Sequence, residues 1–127
     1  SWYFPVNYPR MPVNDNDFVE ALIMSLPHNQ INQLRNGGNA TPVMNTQRFP
    51  PSNPYSASED RLITPKDEPT AQPEAARQKL MDAGWGYDDN GNLHYPPDMD
   101  TSPLWPEGES PSPEDFPCIN SEGEYTG

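Results

Sequence analysis

Apolar positions along this chain fall into a few short stretches, separated by long polar and proline-rich runs. The first stretch is Phe18, Val19, Leu22, Ile23 and Leu26, spaced i, i+1, i+4, i+5, i+8. That spacing gives one apolar stripe on an α-helix. Asn14, Asp15, Asn16 and Asp17 precede it and supply N-cap oxygens and acidic first-turn charge. A helix is predicted over about 15–26 and ends at Pro27. A second, over about 28–36, places Ile31 and Leu34 on one face and stops at Gly37-Gly38.

The next patterned stretch is residues 70–97. Pro73 suits a first helical position, and Ala76, Leu80 and Ala83 then share a face, which predicts a helix over about 73–83 with Gly84 as its stop. The run Trp85-Gly-Tyr-Asp-Asp-Asn-Gly-Asn-Leu-His-Tyr95 alternates apolar and polar residues on either side of Asn90-Gly91. This is the pattern of a β-hairpin over about 85–95, with Trp85 and Tyr87 on one strand and Leu93 and Tyr95 on the other. A short helix covering such a hairpin is a minimal unit, marginal alone.

The remaining segments carry no such period. Residues 1–13 read as an extended arm: Trp2, Tyr3, Phe4 and Tyr8 lie among Pro5, Pro9 and Pro12, and proline excludes a helix there. Residues 39–69 form a proline-rich linker and residues 98–127 an acidic tail. The organisation expected is therefore arm (1–13), amphipathic helical segment (14–38), linker (39–69), helix-plus-hairpin unit (70–97) and tail (98–127). No internal repeat is visible.

Composition weakens the case for one globular domain. Leu, Ile, Val and Phe make up 19 of 127 residues, and Pro, Gly, Ser and Gln together 40 of 127. Both proportions, with a net charge of −12, mark chains that bury too little apolar surface to offset the entropy of ordering. The aromatic content of 10% points the other way, because aromatic side chains are common interface anchors. The fold class expected is largely irregular and extended, non-globular, with short helices and one hairpin, ordered mainly by partners.

Charge is one-sided. Residues 80–127 hold eleven acidic and no Lys or Arg residues. Such a stretch repels phosphate backbones and anionic lipid and favours basic partners, so neither nucleic acid nor membrane is expected as a partner. No apolar run reaches the roughly 18 residues of a transmembrane helix, and no secretion signal is visible, which leaves a virion or an intracellular setting as the expectation. The lone Cys118 forms no internal disulfide.

Sites for chemistry are poorly supplied. His28 and His94 fall in different segments, and no Ser sits with His and Asp at a recognisable elbow. One Cys and two distant His exclude a zinc finger. A calcium loop counted from Asp88 puts Leu93 and Met99 where Gly and Glu are needed, so the turn reading holds. No enzyme activity, cofactor or metal is expected. Ser-Pro and Thr-Pro pairs and bare P-x-x-P motifs are present but decide nothing.

The reading these residues favour is a structural accessory, a clamp, cement or scaffold-like chain laying extended segments over several subunits of a large assembly, with a virus particle as the expected kind. Its anchors would be Trp2, Tyr3, Phe4 and Tyr8 in the arm, Phe18, Leu22 and Leu26 in the first helix, and Trp85 and Tyr87 in the hairpin. An acidic regulatory or activation segment, centred on residues 17–26, is one alternative. A small inhibitor or adaptor module built on residues 70–97 is another.

Overall fold

The computed structural model describes residues 10–40, 54, 64–101, 104–105, 109, 117–120 and 122–126. It contains three short helices and a two-stranded antiparallel sheet: α1 (Asn16–Ser25), α2 (His28–Asn36), α3 (Pro73–Asp82), β1 (Gly86–Tyr87) and β2 (Leu93–His94). All lie within the ranges the sequence pattern predicts. The fold is small and partly irregular. The arm residues 1–9 and nearly all of 41–63 lie outside the described residues.

The chain divides into two compact units, residues 1–6 with 19–76 and residues 7–18 with 77–127, and the boundaries fall inside α1 and α3. The five segments read from the pattern are bounded at 13/14, 38/39, 69/70 and 97/98, with 39–69 as a linker and 98–127 as a tail.

In the first unit, α1 buries Val19 and Ala21. It ends because Pro27 cannot continue it, and this leaves its last carbonyls without helical partners. Residues 64–72 supply partners on both sides of the break. The Gln72 amide donates to the Met24 carbonyl at 2.9 Å, and the Asn29 amide donates to the Pro69 carbonyl at 3.0 Å. α2 starts at His28 and stops where Gly37 turns left-handed at φ 57°. The Gly38 amide then returns to the Asn32 carbonyl at 3.3 Å.

In the second unit, Asp15 caps the start of α1, its Oδ1 accepting from the Phe18 amide at 2.7 Å. α3 ends in a Schellman motif. Gly84, at φ 90°, donates to the Met81 carbonyl and Trp85 donates to that of Leu80, each at 3.0 Å. The motif aims Trp85 inward, where it is 2% exposed. Its ring lies 5.4 Å from Phe18 and 4.9 Å from Tyr95, centroid to centroid and tilted in both cases. Leu80 and Ile119 are also buried.

The hairpin pairs Gly86 with His94 and Tyr87 with Leu93. Its loop is longer than an Asn-Gly two-residue turn. Gly91 takes φ 81° while Asn90 keeps a negative φ. The Gly91 amide donates to the Asp88 carbonyl at 2.9 Å. This is a turn closed by a left-handed glycine, and Asp88 organises it. Asp88 Oδ1 accepts from the amides of Asn90 and Asn92 at 2.9 and 2.8 Å, and Oδ2 accepts from Asn92 Nδ2 at 2.8 Å.

Part of the expected tail is folded into this unit. Ile119 is 1% exposed and bridges antiparallel to Tyr125. Asn120 closes that turn, its Oδ1 accepting from the amides of Glu122 and Glu124 at 3.0 and 2.9 Å.

Candidate interaction surface and buried polar sites

The anchors expected from the sequence fall into three groups. Trp2, Tyr3, Phe4 and Tyr8 lie outside the described residues. Phe18, Trp85 and, in part, Tyr87 are used inside the second unit: Phe18 packs on Trp85, and Arg77 stacks over the Tyr87 ring at 4.1 Å. Trp85 is buried to 2%, because the Schellman turn and the hairpin enclose it in the unit's own core. Leu22 and Leu26 belong to the first unit. Leu22 is 38% exposed and Leu26 is half-buried.

The structure adds apolar groups that pattern reading did not single out as anchors. Leu34 on α2 is 86% exposed and Tyr125 is 71% exposed. The pattern puts Leu34 on one face with Ile31; α2 buries no residue, Ile31 is half-buried and Leu34 stays in solvent. The signal that could have found it was the polarity of the rest of α2, His-Asn-Gln-Ile-Asn-Gln-Leu-Arg-Asn, which is too polar to be drawn into a core.

Electrostatics differ between the units. The first holds six acidic and four Lys or Arg residues, the second thirteen acidic and three. Two of the second unit's three cations are engaged internally, Arg77 on Tyr87 and Lys79 with Asp17 at 3.1 Å.

Two buried polar sites were not legible in the sequence. Lys66 is 3% exposed, and its ammonium donates to the carbonyls of Leu26 at 2.5 Å, Thr70 at 2.9 Å and Met24 at 3.3 Å. It thus caps the end of α1 with a charge, and burial pushes its pKa down. His28 lies next to it. Its pKa is lowered, first by burial and then by the Lys66 charge, against a hydrogen bond to Leu26 that raises it. In the second unit, His94 Nδ1 lies 2.7 Å from the Pro117 carbonyl and Nε2 lies 3.4 Å from Asp88 Oδ2. Hydrogen bonds, first those from Asn92, bring the Asp88 carboxyl down to about 2.

These sites explain structure. Lys66 has all three N–H donors occupied by main chain, which leaves no proton or lone pair for a substrate. Among the described residues, no three His, Cys, Asp or Glu side chains are grouped to hold a metal ion, and no helix is long and apolar enough to cross a membrane. No protein-family model matches the chain, and no curated protein or solved structure matches it.

Proposed function

We propose that the chain is a non-enzymatic structural accessory that binds several subunits of a large protein assembly, its segments ordering on those partners. A virus particle is the first kind of assembly to test. The observation that carries this reading is Leu34. A large apolar side chain 86% exposed on a polar helix contributes nothing to the unit's own core and is available to a partner. Leu22 adds apolar surface on the same unit, and the aromatic arm of residues 1–13 adds a second point of attachment. Two weak attachments on one chain give far higher avidity than either alone.

The experiment is incorporation into the assembly by the full chain, by a chain lacking residues 1–13, and by Leu34→Glu. Reduced incorporation for both variants supports the reading, and unchanged incorporation for both removes it.

A second reading has an observation of its own. The second unit buries Trp85 and Ile119 to 2% and 1%, a core of the kind a small inhibitor or adaptor module would need. On that reading the purified chain shows wide amide dispersion without any partner. On the accessory reading the packed units give dispersed amides on their own, and adding the assembly disperses a further set, those of the arm of residues 1–13.

A further inference from the structure

The corner between α1 and α2 joins two cationic groups in a confined space. Lys66 fills it from the 64–72 segment, with its ammonium in a cage of three carbonyls. His28 enters from the start of α2. Both converge on one acceptor, the Leu26 carbonyl, which takes Lys66 Nζ at 2.5 Å and the His28 amide at 3.1 Å. The His28 ring is half-buried, and its Nδ1 is sealed from solvent with no hydrogen-bond partner.

That orphan nitrogen sets the protonation state the corner tolerates. In neutral imidazole Nδ1 can be a bare acceptor. In imidazolium it becomes a buried N–H, and the Leu26 carbonyl, the acceptor that favours the charged ring, already takes Lys66 Nζ and the His28 amide, so the charged state is costly. The added charge also faces a buried ammonium that main-chain carbonyls hold in place. Of the other charged groups on the elements around the corner, Asp67, Glu68 and Glu74 are exposed, and Glu20 and Arg35 lie along α1 and near the end of α2. Lys66 is the charge that acts on His28.

We propose that this corner is an acid-sensitive release: protonation of His28 beside the caged Lys66 ammonium frees the 64–72 segment from the end of α1. The hydrogen bonds that the Gln72 amide donates to the Met24 carbonyl and the Asn29 amide to the Pro69 carbonyl then open together, because both tie that segment to the corner. The sign follows from linkage. The folded state holds His28 below its ordinary value of 6.5, so the unfolded chain binds the proton more readily. The corner is intact above about pH 6.5 and loosens as pH falls through that value. The inference stands independently of the proposed function.

Amide hydrogen exchange on the full chain tests it. Between pH 7.5 and 5.5, after correction for intrinsic rates, protection at the Gln72 and Asn29 amides falls by about tenfold. Protection at the Trp85 amide, in the other unit, stays constant. In His28→Gln the fall disappears. An equal fall in His28→Gln, or none in the native chain, overturns the proposal. Should that variant fail to fold, an NMR titration of the His28 ring in the native chain decides: a midpoint below 6.5 supports the release, and one at or above it overturns it.

Discussion

Gly86 and Ile119 touch main chain to main chain. A Cβ at residue 86 would collide with the Ile119 carbonyl oxygen and lie 2.6 Å from that of Asn120. Residues 117–120 therefore cross the hairpin where β1 has no side chain, and Ile119 is buried there. A hairpin two residues per strand deep is unstable alone, so this crossing is a substantial part of what holds it.

Gly86→Ala is expected to displace residues 117–120 and cost about 1–3 kcal/mol, the usual cost of overpacking a close contact. Gly91→Ala is the control. Nothing lies within 4 Å of a Cβ there, but φ is 81°, so the cost is backbone strain of about 1–2 kcal/mol without loss of the crossing. Urea unfolding ranks the two, and exchange at the Asn120 and Thr126 amides separates them. Those amides lose protection in Gly86→Ala and keep it in Gly91→Ala.

The local elements were legible because their signals are local. Asp15 before an apolar stripe, Pro27 after it, Gly37-Gly38 and Gly84 each act within one turn of where they stand, and the three helices begin and end where these residues direct. The burial of Trp85 was not legible. An aromatic residue in a chain poor in aliphatic residues reads equally as an anchor for a partner and as the centre of a small core. What decides is the pair of rings that close on it, Tyr95 across the hairpin at 4.9 Å and Phe18 at 5.4 Å from a distant part of the chain. The Lys66 cap is long-range in the same way, joining residues 40 and 42 positions apart. Pattern gives the elements, and contacts between distant positions assign the roles.

Lys66→Met is expected to destabilise the first unit by about 1–3 kcal/mol. The change removes a buried charge, which alone would help. It also removes three charge-assisted hydrogen bonds at once: the Leu26 and Met24 carbonyls keep only the His28 and Gln72 amides and the Thr70 carbonyl loses its Lys66 donor, and that loss outweighs the relief of the charge. Chemical unfolding measures the loss. The His28 ring gives an independent readout, because removing Lys66 removes the second cause of its lowered pKa, so its titration midpoint moves up toward 6.5.

Asp88 gives the second unit an acid limit. Its folded carboxyl titrates at about 2 against an ordinary 3.8, because Asn92, through side chain and then backbone, with His94 and Asn90 behind it, donates to the charged form. A depressed carboxyl contributes stability that is present above about pH 4 and lost as pH falls toward about 2. The Asn90 and Asn92 amides are expected to lose protection across that window in the native chain. In Asp88→Asn they are expected to be weakly protected at neutral pH already, with little further change on acidification. A native chain whose hairpin amides hold constant protection down to pH 2 would contradict this account of the turn.

Leu34→Glu separates binding from folding. At 86% exposure the side chain leaves the unit's core untouched, so the substitution is expected to change stability by no more than about 0.5 kcal/mol. It places a charge where an apolar partner pocket would close, and an unpaired charge in such a pocket is strongly unfavourable. Leu22→Glu is a weaker version of the same test, since Leu22 is 38% exposed and carries some packing within its unit. Thermal unfolding and incorporation into the assembly are measured side by side. The accessory reading requires that Leu34→Glu melt like the native chain and incorporate at least tenfold less, about 1.4 kcal/mol of lost binding. A variant that melts normally and incorporates normally shows that the α2 face meets no partner, and attachment must then come from the arm of residues 1–13.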